Sequence, residues 1–218
     1  MTVPVSLPVR IPASTKENTL GVILAGGLGR RMASPLPKAL IEFRSRPMIT
    51  HVIDRLGPQV HSLVVNANTH AQEFAKLGLH LVPDITEGFV GPLAGLQAVM
   101  FAEPRFEWYL LTPCDSPFLP LDLAAQMAAK QSEANQPRDG REETTATRAI
   151  SVSCEGQEHP VFALVHRSLR DSLDHYLAGG GRKIDRWYAQ VDYQLAVFTN
   201  PFEFLNFNTP QELAAYQG

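Results

Sequence analysis

The residues best suited to chemistry stand early in the chain. Four apolar residues, Val22 to Ala25, run into Gly26, Gly27 and Gly29, and Arg30, Arg31 and then Lys38 follow. Glycines let backbone N–H groups come close to an anion, and cations meet charge that the amides leave unneutralised. The pattern therefore suits polyphosphate. It is not a P-loop, because no Gly-Lys-Ser/Thr closes it, and it lacks the third glycine of the dinucleotide fingerprint. An Ala-Gly-Gly turn with surface arginines is the competing reading of the glycines alone.

A second group of candidates follows predicted strands. Asn66 and Asn68 close one, Asp84 a second and Asp115 a third. Amides read polar groups, and magnesium takes one or two carboxylates together with substrate phosphates. Asp115, held between Pro113 and Pro117, is the better metal candidate. Each residue has a plainer reading: Asp115 as a helix or turn cap, Asp84 and the asparagines as turn formers, Lys38 as solvated surface. Their recurrence at successive strand ends outweighs any single member. The seven histidines give no zinc spacing; His51 reads as structural, whereas His159 opens a strand and is placed to face a substrate. No Gly-x-Ser-x-Gly elbow is present, and Cys114 reads as a buried small residue rather than a nucleophile.

These groups must be positioned by alternating elements. Short apolar runs predict strands over Leu20–Ala25, Val60–Asn66, Leu79–Pro83 and Trp108–Thr112. Helical spacing predicts helices over Pro47–Leu56, Thr69–Leu77 with Thr69 as N-cap, Leu93–Phe101, and from Pro120 to about Ser132. That alternation predicts an α/β fold: a three-layer, Rossmann-like, mostly parallel sheet with helices on both faces. The polar segment 134–148 reads as a mobile loop. Beyond it the pattern becomes a small α+β excursion, with two strands over 149–165, helices over Leu169–Leu177 and through Trp187, and a strand over Val191–Phe198. Thr209 and Glu212 are spaced as the capping box of a last helix. Residues 1–18 read as a disordered extension and 19–218 as one domain.

Bulk properties narrow the partners. A net charge of -3 argues against broad nucleic-acid binding, and no apolar stretch approaches the roughly 20 residues of a membrane span. Two distant cysteines and the lack of a signal-peptide pattern predict a reducing, cytoplasmic setting. A monomer is expected.

Taken together, LAGGLGRRM with Lys38 resembles the signature of nucleotidyltransferases of the glycosyltransferase-A-like fold. Within them the chain resembles the molybdenum cofactor guanylyltransferases. The stretches are VVNANTH (Val64–His70), VPD ending at Asp84, GPLAGL (Gly91–Leu96), PCDSP (Pro113–Pro117), HPVFALV (His159–Val165) and FNTPQEL (Phe207–Leu213), in the same order. The first motif alone marks only nucleotidyltransferases; the set is specific. One departure lies at Pro35-Leu36-Pro37, where Pro37 replaces the acidic residue common before the lysine.

The resemblance implies transfer of GMP from GTP to molybdenum-bearing molybdopterin, with release of pyrophosphate and with Mg²⁺ as cofactor. By position it implies GTP contacts from Leu24, Ala25, Gly26 and Gly27, phosphate contacts from Lys38, nucleoside contacts from Asn66 and Asp84, and Mg²⁺ on Asp115. Arg30, Arg31 and Lys38 would stabilise charge. Asn206 and Asn208 would line the acceptor side, and Arg182 and Lys183, after a glycine run, are candidates for the acceptor phosphate or a solvated helix start. Molybdoenzymes or their chaperones would be transient partners. The alternatives are a cytidylyltransferase for the same cofactor, a sugar-phosphate nucleotidyltransferase, and a non-catalytic nucleotide-binding maturation adaptor.

Overall fold

The structure, a computed structural model, describes residues 11–27, 36–85, 91–136 and 146–217. Gly29, Arg30, Arg31 and, of the Pro35–Pro37 insert, Pro35 lie outside that range. Seven strands form the main sheet: β1 (Thr19–Leu24), β4 (Ser62–Asn66), β5 (His80–Val82), β6 (Trp108–Pro113), β7 (Ala149–Cys154), β8 (Gln157–His166) and β9 (Tyr193–Phe198). Two short strands, β2 (Glu42–Phe43) and β3 (Arg46–Pro47), make a separate hairpin. The helices are α1 (Met48–Leu56), α2 (Ala71–Lys76), α3 (Pro92–Ala102), α4 (Leu123–Ala134), α5 (Arg170–Ala178), α6 (Ile184–Tyr188) and α7 (Pro210–Ala214).

The spatial order is β5-β4-β1-β6-β8-β7-β9. β8 runs against both neighbours, while β5, β4, β1 and β6 pair in parallel and β9 pairs in parallel with β7. The mostly parallel sheet, helices on both faces, and the late α+β excursion match the expected fold class. Strands buried on both faces are near-continuously apolar, and β1 and β6 are so apart from Thr19 and Thr112: Leu20, Val22, Ile23 and Trp108 to Leu111 are at most 1% exposed. On one face Ile49, Val52, Phe74, Leu123 and Met127 from α1, α2 and α4 pack on Ile23, Val65 and Leu110. On the other, Leu93, Leu96 and Val99 of α3, with Leu173 of α5 and Trp187 of α6, cover Leu20, Val22 and Leu111.

After β1 the chain builds outward through β4 and β5, then crosses back to β6 on the other side of β1. The carboxyl ends of β1 and β6 therefore flank a switch point, where an open α/β sheet offers a ligand crevice. Backbone bonds tie these ends together: Ala25 N–H donates to the Asn66 carbonyl at 2.8 Å and Cys114 N–H to the Leu24 carbonyl at 3.2 Å.

Three local expectations need correction. Thr69 does not cap α2; His70 takes the N-cap position in a left-handed conformation, and the Thr69 hydroxyl bonds the His70 ring at 2.9 Å instead. Pro120 does not open α4, because its carbonyl and the helix are bridged from elsewhere. Gln59 Nε2 donates to the Pro120 carbonyl at 2.8 Å, and Gln59 Oε1 accepts from Ala124 N–H at 2.9 Å, so a distant side chain sets the helix start. Packing also begins before residue 19. Ile11 joins the core, and the Pro12 carbonyl accepts from Trp108 Nε1 at 3.1 Å. At the other end the capping box forms as expected, with Glu212 N–H donating to Thr209 Oγ1 at 3.2 Å.

The start of β6 carries a pH-sensitive lock. His166 is 4% exposed; its Nδ1 accepts from Ser168 N–H at 3.2 Å and its Nε2 faces Glu107 Oε2 at 3.3 Å. Burial lowers its pKa below 6.5; Glu107 opposes this, while Arg167 and Arg148 reinforce it. A folded pKa below the unfolded one means the contribution to stability is full above about 6.5 and is lost as pH falls through the folded pKa. Denaturant midpoints should therefore fall between pH 8 and pH 5. His166→Asn, which keeps a capping acceptor without the titration, should flatten that slope; an unchanged slope would assign it to other groups.

Candidate functional site

Two side-chain clusters flank the carboxyl end of β1. The first is built on β4 and β5. Asn66, 4% exposed, donates through Nδ2 to the Val82 carbonyl at 3.1 Å and to Asp84 Oδ1 at 2.8 Å. Asn68 Nδ2 donates to Asp84 Oδ2 at 2.8 Å, and Asp84 N–H returns a bond to Asn68 Oδ1 at 2.8 Å. Both hydrogens of the Asn66 amide and both oxygens of Asp84 are thus committed. An amide with its donors so clamped cannot flip, and it presents Oδ1 as an acceptor of fixed direction.

That oxygen faces two glycines. A Cβ at Gly26 would lie 3.5 Å from Asn66 Oδ1. A Cβ at Gly95 would lie 2.2 Å from it and 2.9 Å from a methyl of Leu24. Gly95, inside α3, is therefore a packing requirement of the site: helix and strand approach too closely there for any side chain. Gly27 has open space around its Cα, with nothing within 4 Å of an added Cβ. The glycine turn is accessible at Gly27 and walled by amides at Gly26.

The second cluster joins β6 to two distant segments. Pro37, extended at ψ 148°, launches a short 3₁₀ turn, Lys38–Leu40, whose first side chain reaches the end of β6. Lys38 Nζ contacts Asp115 Oδ2 and donates to Asn208 Oδ1 at 2.9 Å. Ser116, fully buried, donates its hydroxyl to Asn206 Oδ1. Between these, Phe207 N–H donates to the Asp115 carbonyl at 3.2 Å. Three successive residues, 206 to 208, are thus stitched to Ser116, Asp115 and Lys38. Phe207 buries its ring against Phe43 at a centroid distance of 5.2 Å and anchors the segment.

Beside Asp115 and Asn206 opens a cleft of about 340 Å³, lined further by Pro113, Glu158, His159 and Phe162. The cleft lies against a bulge in β8: Ser151 and Val152 are consecutive on β7 yet pair with Ala163 and His159, leaving Pro160–Phe162 without partners on β7. The Tyr188 hydroxyl holds the bulge by donating to the Pro160 carbonyl at 2.9 Å. His159 lines this cleft, and burial lowers its pKa, favouring the neutral ring.

Lys38, Asp115, Asn206 and Asn208 therefore meet, and Leu24, Ala25, Gly26, Asn66 and Asp84 meet beside them. Arg182 and Lys183 join neither cluster. They are exposed at the turn before α6, and the Arg182 guanidinium donates to the carbonyls of Leu177 at 3.0 Å and Gly181 at 2.6 Å. Its own backbone stands beside Gly91 at the start of α3. His51 is structural, bonded to the Phe43 carbonyl at 2.8 Å. Cys114 is buried, and burial together with Asp115 raises its pKa, so it is no thiolate. Reading the sequence missed Ser116 and Gly95 as site residues, and gave Asn68 less than its role. Their signal was their place inside the PCDSP, GPLAG and VVNAN stretches.

Among the described residues no group of three or more His, Cys, Asp or Glu could cage a metal. The donor set nonetheless suits a hard divalent cation that brings phosphates and water with it, since the Asp115 carboxylate already holds a cationic group in the Lys38 ammonium.

A sheet of this topology, with a glycine turn ending its central strand and a paired lysine and aspartate at the switch point, has the architecture of a nucleotide-binding α/β protein. The solved structures share the fold. A molybdopterin-guanine dinucleotide biosynthesis protein A from Archaeoglobus fulgidus superposes with a TM-score of 0.70 at 20% identity, covering 91% of this chain and 96% of that one. A CMP:2-keto-3-deoxy-manno-octonic acid synthetase does so at 0.68 and 14%, covering 92% and 97%. A family model described as the MobA-like NTP transferase domain matches residues 21–192. Molybdenum cofactor guanylyltransferases of Shewanella putrefaciens and Shewanella piezotolerans are 41% and 39% identical to the chain, each over 88% of it and over 92% and 88% of their own lengths. The chain belongs to the MobA-like NTP transferase family and is a nucleotidyltransferase enzyme.

Proposed function

We propose that this enzyme transfers GMP from GTP to the terminal phosphate of molybdopterin carrying molybdenum, giving the guanine dinucleotide cofactor and pyrophosphate. The observation that carries this reading is the meeting of Lys38, Asp115, Asn206 and Asn208 between the glycine turn and the β8 cleft, in a chain 41% identical to a molybdenum cofactor guanylyltransferase. An oxygen of the acceptor phosphate attacks the α-phosphorus of GTP; one P–O bond forms as the bond to the departing pyrophosphate breaks. The attacking oxygen is already anionic, so no strong base is required. The barrier lies in bringing anions together, and positioned cations lower it.

In this reading Leu24, Ala25, Gly26 and Gly27 lie along the nucleotide, and Lys38 neutralises its phosphates. Arg30 and Arg31, outside the described residues, are assigned the same duty. Asn66, clamped by Asp84 and Val82, offers its Oδ1 to an N–H of the base; guanine has such donors at N1 and N2. Asp115 would hold Mg²⁺, whose charge would offset that developing on the α-phosphoryl group and pyrophosphate. Asn206, oriented by Ser116, and the cleft with His159 would receive the pterin. Arg182 would reach the acceptor phosphate only by releasing its two carbonyls; Lys183 is the freer candidate. No helix among the described residues is long and apolar enough to cross a membrane. We place the enzyme in the cytoplasm as a monomer that binds no nucleic acid and passes its product to molybdoenzymes or their chaperones.

The test offers α-labelled GTP, CTP and UTP separately with Mg²⁺ and the molybdenum cofactor. Label should enter the dinucleotide product from GTP. Incorporation only from CTP would sink the guanylyl reading and leave a cytidylyltransferase.

A further inference from the structure

Lys38 and Asp115 are 77 residues apart in sequence, yet their charged ends are in contact. Their side chains are only 12% and 13% exposed, so water and salt screen the attraction less than at an open surface. The ammonium is also held from its other side. Asn208 Oδ1 accepts from it at 2.9 Å, and Asn208 is itself fixed by its N–H donating to Glu212 Oε2 at 2.6 Å, within the capping box of α7. Without phosphates, the group assigned to meet them has thus a built resting place, on the carboxylate assigned to the metal.

We propose that Lys38 serves in the nucleotide-free enzyme as an internal counter-cation for Asp115, parked there by Asn208, and that a divalent cation gains this carboxylate only after a triphosphate draws the ammonium away. The inference rests on the reading of Asp115 as the metal carboxylate and deepens it. A divalent ion approaching this ion pair meets a far weaker attraction than it would at a lone carboxylate, because the ammonium repels it at close range. Triphosphate changes the balance by competing for Lys38 with several negative charges. Its binding would free the Asp115 carboxylate for the metal and release Asn208 Oδ1 toward the acceptor side together. Metal and nucleotide would then enter as a coupled pair, and the acceptor half of the site would open only once the donor is in place. Asn208 is in this account a positioning residue acting through Lys38.

The test is a titration of nucleotide-free, full-length protein with Mn²⁺ alone, read by the loss of the free-ion paramagnetic resonance signal. Wild type should bind weakly. Lys38→Met, which keeps the apolar stem and removes the charge, should bind one Mn²⁺ at least tenfold more tightly, with Lys38→Gln as the second variant should the first fail to fold. Asn208→Ala should gain a smaller factor, about threefold, because the ammonium loses one of its two holds. Adding Asp115→Asn to Lys38→Met should abolish the gain. Equal affinity in wild type and the folded Lys38 variant overturns the proposal, as does a gain that survives loss of Asp115. No GTP or acceptor enters this measurement, so its failure is distinct from failure of the guanylyl-transfer reading, which the labelled-nucleotide assay decides.

Discussion

Asp115→Ala is expected to abolish nucleotidyl transfer, lowering kcat by about a thousandfold or more, roughly 4 kcal/mol on the barrier. The expectation follows from what converges on this residue. Its carboxylate contacts Lys38, its carbonyl accepts from Phe207 N–H, and its side chain lines the cleft beside Asn206. Removing the carboxylate takes away the proposed metal ligand and leaves the Lys38 ammonium with Asn208 alone. The backbone bond to Phe207 survives the substitution, so the 206–208 segment should stay docked and the far-UV circular dichroism should match wild type. Pyrophosphate release measured under saturating GTP and acceptor gives the rate. Retention of more than a tenth of wild-type turnover in a folded variant would remove Asp115 from the metal role and move attention to the Asp84 cluster.

The second large effect is expected at a residue with no reactive atom. Gly95→Ala places a methyl group 2.2 Å from Asn66 Oδ1, 2.7 Å from Asn66 Cγ and 2.9 Å from a Leu24 methyl. None of these atoms is at the end of a long flexible chain. Asn66 is held by Val82 and Asp84, and Leu24 is the last residue of a central strand. The clash must therefore be relieved by moving α3 or by breaking the amide clamp. Overpacking of this kind costs about 1–3 kcal/mol of stability. KM for GTP should rise about tenfold, as for loss of one good polar contact of ~1.4 kcal/mol. A double-mutant cycle separates the two routes. If the methyl acts through Asn66, then Gly95→Ala should weaken GTP far less in an Asn66→Ala background. Strictly additive losses would mean that helix displacement, not the Asn66 amide, carries the effect.

Both predictions concern residues whose motifs are visible in the chain, but only Asp115 announces its chemistry there. A carboxylate after an apolar strand has a limited set of uses, and its type alone suggests metal or cap. Gly95 sits in a helix that is apolar on nearly every side, where glycine reads as a mild defect. What it permits is contact between α3 and the ends of β1 and β4, which depends on how two layers stack. The same limit applies to Ser116, a small polar residue whose partner Asn206 lies 90 residues away. It applies as well to the start of α4, set by Gln59, 65 residues earlier in the turn after α1 on the same face of the sheet, rather than by Pro120.

The sequence by itself determined the alternation of strand and helix, the sheet with both faces covered, the capping box at Thr209 and Glu212, and the residue types delivered at each strand end. These follow from local periodicity, backbone preference and covalent order, which neighbours in the chain carry. The tertiary structure alone decided where Lys38 points, that Asn66 and Asn68 both clamp Asp84, and that residues 206–208 are sewn to Asp115 and Ser116. Each of those contacts joins segments far apart in sequence. Their distances and directions are fixed by strand order and helix packing, and no local pattern encodes them.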